Sequence, residues 1–145
     1  MIRQVAVVIP GPPCPQGRGR IIQIRGRGAI KDPERSKNWK GAAQWHMQKA
    51  LKGGLLDGKL RVRISAVFPC PLSDHRKTKP SPLRWHTKAS GDADNLAKAC
   101  LDAGNGVLWH DDRQVCSLTV EKYIAAQGEP PYTSMLVKQI EGDPE

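Results

Sequence analysis

Aromatic residues are scarce in this 145-residue chain, which has one Phe, two Tyr and four Trp. A core with so few rings rests on aliphatic side chains, and the four Trp must supply much of its aromatic packing. Long apolar runs are absent. No stretch of 18 or more apolar residues occurs, so nothing in the sequence is suited to span a bilayer. The short apolar run in the opening MIRQVAVVIPGPP is too brief for a secretory signal and is closed by prolines. It reads as a first strand, and the chain as cytoplasmic. Cysteine pairs are also missing. Cys14, Cys70, Cys100 and Cys116 stand singly, with no C-x-x-C, which excludes zinc-site spacing and reads as free thiols in a reducing compartment.

Acidic residues are scarce in one part of the chain only. Residues 1–88 hold 19 Lys and Arg against four acids, a net of +15. Residues 89–145 hold four Lys and Arg against ten acids, a net of −6. A surface charged merely for solubility would not segregate in this way. A basic surface around an acidic pocket suits a polyanion held against a metal.

The length and the 39% hydrophobic content fit one domain over 1–145. Residues 2–10 have strand character, rich in β-branched side chains. Residues 14–31 form a basic hairpin, with Arg18, Arg20, Arg25 and Arg27 flanking Ile21–Ile24 and glycines that allow close backbone approach. Asp32-Pro33 suits the opening of a helix that runs to residue 52, with Trp39, Ala42, Ala43, His46, Met47, Ala50 and Leu51 at helical spacing. Trp39 and Trp45 are read as packing residues. Residues 59–69 alternate basic and apolar as a half-buried strand.

Residues 70–91 are a long basic loop carrying Arg76, Lys77, Lys79, Arg84 and Lys88. Trp85 can either stack on an unpaired base or seal the loop to the body. Residues 113–125 and 132–140 are two further strands, expected to pair with each other antiparallel, and 141–145 is an acidic tail expected to fray. The sum is an α+β domain with about four strands in a mixed sheet and two helices. The arginines and lysines of the hairpin and the long loop are the candidate nucleic-acid contacts.

The densest chemistry is in residues 91–115, GDADNLAKACLDAGNGVLWHDDRQV, which hold five of the 14 acids. If the chain is extended at Asp92 and Asp94, their carboxylates point the same way. A helix then follows with Asp94 as its cap, Leu96, Ala99, Cys100 and Ala103 towards the core, Lys98 one turn on, and Gly104 at its end. Carboxylates gathered together resist joint ionisation, and a divalent cation removes the conflict. Oxygen ligands that are few in number suit Mg²⁺ or Mn²⁺. Such a site with a lysine beside it fits phosphodiester hydrolysis. The spacing alone also allows a turn at Asp92, a simple helix cap at Asp94, a surface Asp94–Lys98 pair and a turn at Asp111-Asp112.

The combined pattern resembles the RusA family of Holliday-junction resolvases. It runs D-x-D-N-L-x-K (Asp92, Asp94, Asn95, Leu96, Lys98), a helix, then G-V-x-W-x-D-D-x-Q-V (Gly106 to Val115), then L-T-V-E-K (Leu118–Lys122). The resemblance implies a small homodimeric, Mg²⁺-dependent endonuclease acting on four-way DNA junctions, with Mn²⁺ as an alternative ion. It places the catalytic and metal-binding acids at Asp92, Asp94 and Asp112 and the essential lysine at Lys98. Asp102 and Asn95 are expected to be supporting residues, and Asp111 either a support or a turn former. A two-fold dimer matches a junction that needs two opposed cuts. The resemblance also allows a phage or prophage origin. Two other readings share these residues: a non-catalytic, structure-selective DNA-binding protein, and a nuclease for other branched or single-stranded nucleic acids.

Overall fold

The computed structural model describes residues 2–17, 20–24, 26–31, 34–88 and 91–145, with the backbone alone described over 20–24 and 27–31. Strand β1 is Gln4–Pro10, and β2 (Arg20–Ile24) and β3 (Arg27–Lys31) form a separate antiparallel hairpin. Helix α1 is Glu34–Ala50, β4 is Leu60–Phe68, β5 is Arg84–Trp85, α2 is Ala93–Gly104, β6 is Val115–Ile124 and β7 is Tyr132–Gln139. The expected helix opening at Asp32-Pro33 lies outside the described residues.

The main sheet has five strands in the order β1-β7-β4-β6-β5, with β4 and β6 parallel and the other pairs antiparallel. Four strands were expected. The fifth, β5, is two residues inside the long loop, too short for a period-two pattern to show. The expected pairing of the last two strands is also corrected, because β4 lies between β6 and β7. Two strand spacings amount to roughly 9.6 Å. The segment Ala125–Pro131 crosses that gap over the end of β4, where Ala125 N–H donates to the Phe68 carbonyl at 2.7 Å.

Alternation decides which face of the sheet is buried. On β4, Leu60, Val62 and Ile64 are fully buried while Arg61 and Arg63 are exposed. Each such aliphatic side chain contributes roughly 1.5–3 kcal/mol on burial, so this central strand anchors the core. Val5, Val7 and Ile9 of β1 and Met135 and Val137 of β7 share the face. Ala43 and Met47 of α1 and Cys100 and Ala103 of α2 close it. Trp45 departs from the expected packing role and is 52% exposed. It lies two residues from Ala43, about 200° around the helix and so away from the buried stripe. There the Lys49 ammonium rests 4.0 Å from its ring centroid. In the acidic tail, the Lys59 ammonium bonds the Gly142 carbonyl and pairs with the exposed Asp143.

The parallel pair β4–β6 requires a crossover. That crossover, residues 69–114, contains both the basic loop and the whole acidic stretch. Among the described residues, no helix is long and apolar enough to cross a membrane.

Candidate active site

Gly91 delivers the chain to α2. A Cβ on it would lie 2.8 Å from the Phe68 ring and 3.4 Å from His86 Nε2, so only glycine passes this close to the end of β4. Asp92 then takes the N-cap position with φ −65° and ψ 129°, and its carboxylate makes no capping bond. The expectation of Asp94 as the cap is thereby corrected. The helix begins one residue after Asp92, and Asp94 falls in its first turn. Both carboxylates are exposed, at the helix end where negative charge is favoured. Among the described residues, Asp94 Oδ1 accepts only the adjacent Asn95 N–H, at 3.0 Å.

Lys98 is exposed one turn beyond Asp94, and Asp102 is half-buried a further turn along. Among the described residues, neither Asp94–Lys98 nor Lys98–Asp102 forms an ion pair. The lysine and the two N-terminal carboxylates are therefore not consumed by one another. The buried side of α2 is as the spacing predicts, with Leu96, Ala99, Cys100 and Ala103 inside. Burial alone pushes the Cys100 thiol up to about 12, so it is an inert core group.

The far end of α2 is locked by Trp109, which is fully buried. Its six-membered ring lies so close to Gly104 that a Cβ there would sit 2.5 Å from it. The indole N–H donates to Asn105 Oδ1 at 2.8 Å. Trp109 therefore plugs the helix end, and Gly104 is the only residue type that makes room for it.

Asp111 and Asp112 follow on a 3-10 turn, Asp112–Gln114, that touches α2. Asp111 Oδ1 accepts the Arg113 N–H at 2.9 Å, and Gln114 Oε1 accepts the Asp111 N–H at 3.0 Å. Asp111 is thus a turn former here. Gln114 is a support that spacing does not reveal. Its amide nitrogen donates to the Leu56 and Gly58 carbonyls, both at 3.0 Å, and so pins the Asp112 turn to the segment before β4.

The structure thus brings Asp92, Asp94 and Lys98 together and sets Asp112 apart. The 12 residues of α2 span about 18 Å between the Asp92 end and the Trp109 end. Among the described residues, no three His, Cys, Asp or Glu side chains gather as a metal cage. The donor chemistry still fits Mg²⁺, which commonly takes one or two carboxylates and fills its remaining positions with water and substrate phosphate.

The basic hairpin is rooted beside these carboxylates. Gln16 N–H donates to the Asn95 carbonyl at 3.0 Å, and Gly17 N–H donates to Ser36 Oγ at 3.1 Å. Residues 16–17 therefore lie between the starts of α1 and α2. Arg20 and Arg27 fall on the two strands of the hairpin, and Arg18 and Arg25 lie outside the described residues.

In the long loop, Arg76, Lys77, Lys79 and Lys88 are exposed. Arg84 is not a free cation. It lies 3.9 Å from the Cys70 sulfur and pairs with Asp74, and the contact with Cys70 first, then that with Asp74, raises its already high pKa. Ser81 Oγ donates to the Asp74 carbonyl at 2.5 Å, and Gln127 bonds the backbone of Arg76 and Ser81. Asp74, Arg76, Ser81 and Arg84, with Ser73 and Pro82, line an open polar cleft of about 270 Å³. Trp85 takes the sealing role and keeps an open side. One ring face stacks on Tyr123 with centroids 4.8 Å apart, yet the residue stays 64% exposed.

The family model described as Endodeoxyribonuclease RusA matches residues 10–130 of the chain. The uncharacterized protein YqaN of Bacillus subtilis (strain 168) is 27% identical over 142 residues, which takes in 94% of this chain and 96% of that protein.

Proposed function

This chain belongs to the RusA family of endodeoxyribonucleases, and on that premise we propose that it is a homodimeric, Mg²⁺-dependent enzyme that resolves four-way DNA junctions by paired nicks. The observation that carries the reading is the pair of exposed carboxylates, Asp92 and Asp94, at the start of α2, unpaired with Lys98 one turn away and beside the root of the basic hairpin. Asp92 and Asp94 would hold the ion. A bound Mg²⁺, or Mn²⁺, supplies Lewis acidity and a water of lowered pKa. Lys98 places an ammonium where it offsets the charge that develops on the scissile phosphate. Arg76, Lys77, Lys79, Lys88 and the hairpin arginines neutralise flanking phosphates and hold the duplex arms.

Asp112 is the reason for a dimer. In one protomer it lies a helix length from Asp92, and a second copy in an isologous dimer can bring its own Asp112 to the Asp92–Asp94 pair. Two such composite sites, related by the two-fold axis, match the two opposed strands of a junction.

The test is cleavage of a synthetic four-way junction in Mg²⁺ by wild type, Asp92→Asn, Asp94→Asn and Asp112→Asn. Each variant is expected to lose roughly 100-fold or more in rate while junction binding persists. Wild-type cutting by all three overturns the site. Tight, salt-sensitive binding by the wild type with no nicking in Mg²⁺ or Mn²⁺ overturns the activity.

A further inference from the structure

Both helices pack on one face of the main sheet, and the other face carries a second pattern. The strand registers arrange that face in rows. One row runs Gln4, Lys138, Arg61, Ser117, and the next runs Ala6, Leu136, Arg63, Thr119. A third runs Val8, Ser134, Ser65, Glu121, and the last runs Pro10, Tyr132, Val67, Tyr123, Trp85. One end of the face is therefore basic and the other aromatic. Between them Val8 is 57% exposed and Leu136 38% exposed.

The aromatic end is held in place rather than merely present. Arg63 pairs with Glu121 at 2.8 Å, and Glu121 Oε2 accepts the Tyr123 hydroxyl proton at 3.0 Å. Tyr123, fixed by that bond, backs one face of Trp85. The Arg63–Glu121 pair cancels the acid charge in the middle of this face and Lys59–Asp143 does so at its rim, where Glu141 lines a cleft with Arg61; against that one acid stand two further cations, Arg61 and Lys138. Both are exposed.

We propose that this uncovered sheet face is a second DNA surface, taking single-stranded DNA by base stacking on Trp85 and phosphate contact at Arg61 and Lys138. An aromatic platform joined to a basic track is what unpaired, sequence-independent binding requires. The two ends are six β4 residues apart, Arg61 to Val67, or about 20 Å, room for a strand of a few nucleotides. A second copy of the chain would bring the same net positive face against itself, whereas a polyanion complements it. The carboxylates are on the helix side, so this surface does not compete with them for a phosphate. The proposal rests on the reading of the chain as a DNA enzyme, but not on the carboxylates.

The experiment is metal-free binding of a fluorescent oligothymidylate by the full chain. Trp85→Ala is expected to weaken binding roughly tenfold or more, while Trp45→Ala, at an exposed Trp on α1, changes nothing. Arg61→Ala with Lys138→Ala sits at exposed positions that do not carry the fold. That double variant is expected to lower the salt slope of binding by about 1.4. Unchanged affinity and slope in both Trp85→Ala and the double variant overturn the proposal. So does sedimentation that shows this face occupied by a second copy which the oligonucleotide cannot displace. Oligonucleotide affinity that survives Asp92→Asn supports a surface separate from the active site. Failure of the active-site reading registers elsewhere, as junction cleavage that survives Asp92→Asn.

Discussion

Two adjoining segments of one crossover use charge in opposite ways. In residues 70–88 the charge is partly spent on the segment itself. Arg84 is consumed by Asp74, and this pair with Ser81 and Gln127 gives the loop its shape. In residues 91–115 the shape comes mainly from uncharged contacts, with Gly91 on Phe68, Trp109 on Gly104, and Gln114 on the Leu56 and Gly58 carbonyls, and Asp111 is the one acid spent on a turn. Asp92, Asp94 and Lys98 are left with no ion pair among the described residues. Charged groups kept out of the scaffold are the ones available for a ligand. Net charge along the sequence counts both kinds alike, so it overstates the free cations of the loop and understates the readiness of the acids.

The largest effect that sharpens this contrast is complementation. Asp92→Asn and Asp112→Asn are each expected to be inactive alone. If Asp112 serves the carboxylate pair of the other protomer, mixing the two inactive proteins and allowing subunit exchange creates heterodimers with one intact site. Single-strand nicking of a junction should then return to as much as about one quarter of the wild-type rate per total protein, since half of a random mixture is heterodimer and each has one good site. A mixture that stays as inactive as its components places all three acids in one protomer and removes the composite site.

A second, smaller effect separates the loop's two arginines. Arg76→Ala is expected to leave the melting temperature unchanged and to lower the salt slope of junction binding by about 0.9, the loss of one phosphate contact. Arg84→Ala is expected to cost about 1 kcal/mol or less, given that its pair with Asp74 is partly exposed. It should also open the loop to protease near Asp74, with no greater loss of salt slope than a folded but loosened loop produces. Thermal melts, limited proteolysis and binding at several salt concentrations distinguish the two. Equal behaviour of the two variants would erase the distinction between structural and free cations on which the contrast depends.

How much of this was legible in the sequence follows from the range of the interactions involved. The alternation of β4 and the buried stripe of α2 are local, and both could be read from periodicity. The family was legible because the pattern that runs from Asp92 to Lys122 is long and specific. Three things were not legible. The position of β4 between β6 and β7 depends on where a seven-residue crossing lands, which no local pattern encodes. The exposure of Trp45 was masked by an apolar count that ignored its angle from Ala43. The separation of Asp112 from Asp92 is set by α2 lying lengthwise between them, whereas closeness in the motif invites placing them together.

The smallest effect lies at the seam between the two segments. His86 is buried beside Phe68, with ring centroids 4.5 Å apart, and close to Gly91. Burial first, and then the nearby Lys122 and Lys88, push its pKa below the usual value near 6.5. The charged imidazolium is disfavoured in the folded chain, so below pH 6.5 the unfolded chain binds more protons at this position. Stability therefore rises with pH across that window. The contribution is fully present above about pH 6.5 and is lost as pH falls from there through the depressed folded value. Because the ring backs the glycine that delivers Asp92, acidification should loosen the entry to α2 before it disturbs the Trp109 end. Thermal melts of wild type and His86→Gln between pH 7.5 and 5 should show a steeper decline for wild type on the acid side. Hydrogen exchange over the same range should accelerate first near residues 91–96. Parallel pH profiles for the two proteins would mean that the seam is not where the acidic stretch takes its support. The contrast between the two segments would then rest on Trp109 and Gln114 alone.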